Sequence, residues 1–123
     1  MKSLGIHILV ELFSCDKDKL KDVELIKKVM HEAALAAKAT IICDAYHKFT
    51  EEGVSGFIML AESHFSIHTW PEHCYAAVDL FTCGKQMDPW IAFDILAKNL
   101  EAEHKVYLEV KRGEVSNSQF QTQ

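Results

Sequence analysis

The sequence predicts an α+β fold, a two-layer sandwich in which a mostly antiparallel sheet carries two helices on one face. Apolar residues alternate with a period of two in six separate runs and recur at helical spacing in only two. Length adds a third constraint: 123 residues build one hydrophobic core and not two, so residues 1–115 read as a single domain followed by a loose polar tail, 116–123.

The first strand places Leu4, Ile6, Ile8, Val10 and Leu12 on one face and His7, Leu9, Glu11 and Phe13 on the other. From Asp22 the period lengthens, and Leu25, Ile26, Val29, Met30, Ala33, Ala34 and Ala37 form one stripe on a helix. A second strand covers 40–49. Glu51-Glu52-Gly53 makes a turn, and 54–62, 65–70 and 75–83 are three further β-rich runs. Asp88 before Pro89 is an N-cap ahead of a proline at the first helical position, and Trp90, Phe93, Leu96, Ala97 and Leu100 supply the second helical stripe. Val106, Leu108 and Val110 alternate with Tyr107 and Glu109 as the last strand, so the order is β-α-β-β-β-β-α-β.

Two helices cover one face of such a sheet, yet several strands are apolar on both. Ile41, Cys43, Ala45 and Phe49 oppose Ile42 and Tyr46, and Phe57 and Met59 oppose Ile58 and Leu60. A second copy of the chain is the simplest cover, which predicts a homodimer with sheets facing across the interface.

A hydrophobic fraction of 49% with 25% charged residues describes an ordinary globular protein, and a formal charge of −5 argues against nucleic acid or an anionic membrane as partner. The first residues lack the apolar run of a signal peptide or membrane span, which points to the cytoplasm. Cys15, Cys43, Cys74 and Cys83 form no CxxC pair, so a special cysteine here is expected to be a thiol rather than part of a disulfide frame or four-Cys zinc site.

Chemistry concentrates between Val54 and His73, where three histidines, two carboxylates and three serines are packed together. His64 and His68 on one strand face read as core or interface histidines. His64, His68, His73 and Cys74 also have the atom types for zinc, at looser spacing than structural sites favour. In a third reading Ser63 is an activated hydroxyl at a strand end beside a turn, with His68 reaching back to it if the chain folds sharply there. GxSxG is absent, and spacing alone leaves the three open.

His47-Lys48-Phe49, Gly53-Val54-Ser55-Gly56, Glu62-Ser63-His64, Ile67-His68-Thr69-Trp70-Pro71-Glu72 and Asp79-Leu80-Phe81-Thr82-Cys83-Gly84 occur in that order. Together they resemble the short prokaryotic S-adenosylmethionine decarboxylase proenzymes, and the likeness spans residues 4 to about 112 without an evident gap. The resemblance implies a zymogen that breaks its own chain between Glu62 and Ser63, giving fragments 1–62 and 63–123, and turns Ser63 into a pyruvoyl group, with no metal or PLP. That ketone holds the substrate amine as a Schiff base and serves as the electron sink for loss of CO2.

By the same resemblance His68 is the base in processing, Ser55 helps to hold the intermediate, and Cys83 returns the proton. Phe49, Trp70 and Glu72 are the candidates for stacking on adenine and holding the ribose, serving the partner chain's site across the two-fold. The chain departs from close relatives at Ile6, where they commonly have Arg, at Glu51-Glu52, where they have a proline, and at Cys74, where they have Gly. The expected activity is decarboxylation of S-adenosylmethionine for spermidine synthesis. The alternatives are the same pyruvoyl chemistry on L-arginine or L-ornithine, and a non-catalytic subunit that activates another chain.

Overall fold

The structure is a computed structural model and describes residues 2–61, 63–83 and 85–115. Glu62, Gly84 and the expected tail 116–123 lie outside the described residues.

Six strands, β1 (Lys2–Phe13), β2 (Ile41–Lys48), β3 (Val54–Leu60), β4 (Ser63–Trp70), β5 (Tyr75–Thr82) and β6 (His104–Val115), form one sheet in the order β2-β3-β4-β5-β1-β6. Every neighbouring pair is antiparallel. The long helices α2 (Val23–Ala36) and α3 (Pro89–Asn99) share one hydrophobic core with a single face of the sheet. Each starts where the sequence places a cap: Asp22 accepts from the Leu25 amide, and Asp88 accepts from the Trp90 amide ahead of a first-turn proline.

Both helices end in the same motif. The Ala39 amide donates to the Ala34 carbonyl and the Lys38 amide to that of Leu35, while Ala102 and Glu101 repeat the pattern on Ala97 and Lys98. The residues at the left-handed position are Lys38 (φ 67°) and Glu101 (φ 57°), where glycine is the usual choice.

Three expectations need correction. A third, four-residue helix, α1 (Lys17–Leu20), precedes α2, and Pro71–His73 forms a 3-10 turn. Four residues show no periodicity; α1 exists because Asp16 caps the Lys19 amide and Leu20 is fully buried. In β2 a bulge between Ile41 and Cys43 shifts the register, so Ile41 packs on the core with Tyr46, leaving Cys43 on the other face. Finally, β4 begins at Ser63 rather than at Phe65 and runs regularly to Trp70, so the chain does not fold back between Ser63 and His68.

The core consists of Ile8, Val10, Leu12, Ile58, Leu60, Phe65, Ile67, Val78 and Leu80 from the sheet against the buried stripes of α2 and α3. On the opposite face Leu9, Phe57, Met59, Val106, Leu108 and Val110 are exposed, Leu108 to 58%. Tyr107 points the other way and meets the rings of Trp90 and Phe93. Among the described residues no helix is long and apolar enough to cross a membrane.

Candidate active site

β4 carries candidate residues at both of its ends. Ser63 pairs with Leu60 of β3 and Thr82 of β5, and strand alternation puts its half-buried side chain on the helix-covered face. It lines a cavity of about 360 Å³ together with Lys38, Thr40, Lys85 and Gln86. Cys83 follows Thr82, one residue beyond Ser63's cross-strand partner, and is exposed. Ser63 and Cys83 therefore share one end of the sheet.

His68 lies at the other end and on the other face. Four residues of extended chain lie between it and Ser63, five strand steps or about 16 Å. The expected reach of His68 to the serine of its own chain is thus not made. Its ring Nδ1 instead lies 2.8 Å from Ser55 Oγ, directly across the β3–β4 ladder. This pair borders two cavities, one of about 320 Å³ with Ala45, His47 and Phe57, and one of about 350 Å³ with Phe49, Trp70 and Glu72. All three proposed substrate contacts and the Ser55–His68 pair accordingly gather at one end.

Local sequence explains why that end is well set. Thr69 Oγ1 accepts from the Val54 amide at 2.9 Å and donates to the Leu20 carbonyl at 2.9 Å, tying β3 and α1 to β4 beside His68. A Cβ on Gly53 would stand 2.8 Å from the Thr69 carbonyl oxygen, so only glycine permits this approach. The Trp70 ring lies 5.4 Å from that of Tyr75, which stacks on Phe13 and donates to Glu11. Burial, with help from Glu11, pushes the Tyr75 phenol up to about 12. Phe49 meets the His47 ring edge-on at 4.6 Å.

Midway along the open face a second cluster joins residues far apart in sequence. His7 Nε2 is 2.6 Å and His64 Nε2 3.3 Å from the same Asp79 oxygen, and Ser66 donates to the other oxygen. Burial acts to raise the Asp79 carboxyl, but the hydrogen bonds from Ser66, His7 and His64 outweigh it and hold the group below its ordinary value. Arg112 stands 3.1 Å from His7 Nδ1 and has only donors, so Nδ1 accepts and the ring proton sits on Nε2, aimed at Asp79. A metal ion at Nε2 would require that proton on Nδ1, against the guanidinium. The trio reads as a hydrogen-bonded network, and the zinc set His64, His68, His73 and Cys74 is not assembled, since His64 turns to Asp79 and His68 to Ser55.

None of the four cysteines is in a disulfide. Cys15 is buried and its thiol is pushed up to about 11 by that burial and by Cys74, which suits packing rather than chemistry, whereas Cys83 is exposed beside Ser63. Cys74 takes a left-handed conformation (φ 51°), which is why a glycine suits this position.

The S-adenosylmethionine decarboxylase family model matches residues 6–113. The chain is 52% identical over 113 residues to the S-adenosylmethionine decarboxylase proenzyme of Caldicellulosiruptor saccharolyticus, covering 92% of this chain and 91% of that one. To the proenzyme of Thermotoga maritima it is 49% identical, over 92% of this chain and 87% of that one. The crystal structure of the adenosylmethionine decarboxylase from Aquifex aeolicus superposes with a TM-score of 0.87 at 38% identity, covering 95% of this chain and 97% of that one. The fold and these matches define a self-processing, pyruvoyl-dependent carboxy-lyase, which makes its prosthetic group from a serine of its own chain. The chain belongs to the S-adenosylmethionine decarboxylase family, and the reaction is decarboxylation of S-adenosylmethionine to the form used in spermidine synthesis.

Proposed function

We propose that Ser63 is the serine converted, that the chain is cut between Glu62 and Ser63, and that the working centre is built across a homodimer. Ser63 and Cys83 come from one protomer, and Ser55, His68, Phe49, Trp70 and Glu72 from its partner. The observation that carries this reading is the separation of the two groups at opposite ends of β4. Because β4 runs straight, no closure within one chain joins them; a two-fold axis crossing the strands between facing sheets lays each serine end against the partner's histidine end. The exposed apolar stripe through Phe57, Met59, Leu9 and Leu108 supports the same contact.

Ser63 suits conversion to a pyruvoyl group: its hydroxyl is half-buried, borders a cavity with room for a changing backbone, and opens its strand beside Cys83. When formed, that group supplies the electrophilic carbonyl and electron sink for loss of CO2. The chain's own residues do the rest. His68 of the partner subunit, steadied by Ser55 on Nδ1, keeps Nε2 available to take a proton during processing. Cys83 holds the proton that returns to the product carbon. Trp70 and Phe49 offer faces for a purine and Glu72 a carboxylate for ribose hydroxyls, side by side in one cavity. The exposed thiols of Cys43 and Cys83 suit a reducing cytoplasm.

A denaturing mass spectrum tests the cut. The purified protein is expected as fragments 1–62 and 63–123, the second starting with pyruvoyl, and Ser63→Ala as an intact chain without activity. A cut at another bond, or fragments from Ser63→Ala, would remove Ser63 from the role.

A further inference from the structure

Ser63 belongs to a row that crosses five strands at one level, in which Ile41, Leu60, Ser63, Thr82 and Ile6 are successive cross-strand partners. The row lies on the helix-covered face, where Leu60 is buried and Ile41 and Ile6 pack on the core. Its two neighbouring hydroxyl residues are therefore flanked by apolar side chains on either side. Farther along β4 and β5 the same face pairs Phe65 with Leu80 and Ile67 with Val78. Thr69, opposite Ala76, spends its hydroxyl on the Val54 amide and the Leu20 carbonyl. Ser63 and Thr82 are thus the one β4–β5 pair on this face, among the described residues, with two polar side chains. Thr82 is only 7% exposed and lines the same cavity as Ser63.

We infer that Thr82 is a positioning residue for self-cleavage, whose hydroxyl accepts the Ser63 O–H and so aims the Ser63 oxygen. The inference rests on Ser63 being the converted residue. Directly opposed residues of an antiparallel pair have Cβ atoms about 5 Å apart, which brings a threonine and a serine hydroxyl within bonding reach by rotation about χ1. A threonine hydroxyl has one donor and two acceptor sites, so Thr82 receives the serine proton while its own serves another acceptor. Its β-branch restricts χ1, so of the two it is the stiffer and sets the direction of the other. In the first step of processing, Ser63 Oγ forms a bond to the carbonyl carbon of the preceding residue. The C–N bond breaks with its electron pair going to nitrogen, and the hydroxyl proton ends on that nitrogen, giving an ester and a free amine. A freely turning hydroxyl spends little of its time aligned for this attack. Anchored by its proton to Thr82, it keeps its lone pairs turned away from Thr82 and available to the carbonyl carbon. Thr82 thus acts before the α-proton leaves, in a step distinct from the one proposed for His68.

Trapping the ester isolates this step. Hydroxylamine cleaves an ester and spares an amide, releasing 1–62 as a hydroxamate and leaving 63–123 with an unaltered serine at its start. In a His68→Ala background elimination is blocked, so the rate of this cleavage reports ester formation. Denaturing mass spectra are taken over time for His68→Ala, His68→Ala/Thr82→Val and His68→Ala/Thr82→Ser. Valine keeps the β-branch and removes the hydroxyl, whereas serine loses the branch and keeps it. We expect trapping to slow about tenfold with valine and to stay within about twofold of the parent with serine. Thr82→Val and Thr82→Ser alone, processed without the reagent, should rank in the same order. Valine variants that are trapped and processed as fast as their parents would overturn the inference, as would serine variants as slow as the valine ones, which would mark a packing role. A wild-type chain that is not cut between 62 and 63 would overturn the reading of Ser63 itself, and is seen before Thr82 is changed.

Discussion

The two ends of β4 are built for different work. At the Ser63 end the strand starts beside a polar, lysine-lined cavity on the helix-covered side, with an exposed thiol one residue beyond the paired position. At the His68 end a serine–histidine pair, two aromatic rings and a carboxylate surround cavities on the open side, braced by Thr69 and a glycine that tolerates no Cβ. In the proposed reading one end has the bond to be cut and the other has the base and the substrate contacts. The difference teaches that a straight strand of eight residues holds its two halves apart rather than together, so the proposed chemistry draws on a second strand reversed over the first.

The contrast is broken most severely by preventing that second strand from arriving. Leu108→Asp puts a charge in the middle of the exposed stripe, and a monomer by sedimentation with processing and turnover reduced about a hundredfold is expected. A next, smaller effect sharpens the His68 end alone. Ser55→Ala removes the partner of His68 Nδ1, and stopped-time processing assays are expected to show a loss of about tenfold, the worth of one hydrogen bond. The Ser63 end should retain its fold in this variant, with the melting temperature little changed.

Between the ends, the His7–Asp79–His64 network gives the open face a pH signature. The Asp79 carboxyl is held below its ordinary value in the folded protein, so its contribution to stability is present above the unfolded carboxyl pKa and is lost as pH falls through the folded one. Thermal melts should therefore weaken below about pH 4, and Asp79→Asn should flatten that decline. The smallest effect lies after the Pro71–His73 turn: Cys74→Gly relieves a left-handed backbone and is expected to raise stability by about 1 kcal/mol by denaturant titration, without altering the cut.

Much of this was legible in the sequence, and the rest was hidden for physical reasons. Strand alternation and the two helical stripes fixed the sheet and its helix-covered face, because burial imposes those periods directly. The motifs around Ser55, Ser63, His68 and Cys83 marked the candidate residues. Their grouping was not legible. Ser63 and His68 are near neighbours in sequence, and nearness along a chain becomes distance once the chain extends into a strand. The bulge in β2 separates Ile41 from Cys43, which a period-two reading places on one face, since that reading has no sign of an inserted residue. His7 and Asp79 lie 72 residues apart and meet only through the β1–β5 ladder. The short helix α1 depends on one cap and one buried leucine, a signal too small for any periodic reading.

Complementation between two inactive variants tests the shared centre most directly. Ser63→Ala and His68→Ala are each expected to lack activity alone. Co-expressed, they should form mixed dimers in which one of the two sites has both an intact Ser63 and an intact His68, restoring about a quarter of wild-type S-adenosylmethionine decarboxylation if protomers pair at random. A co-expressed pair as inactive as either variant alone, with mixed dimers verified by mass, would contradict a centre built across the two-fold.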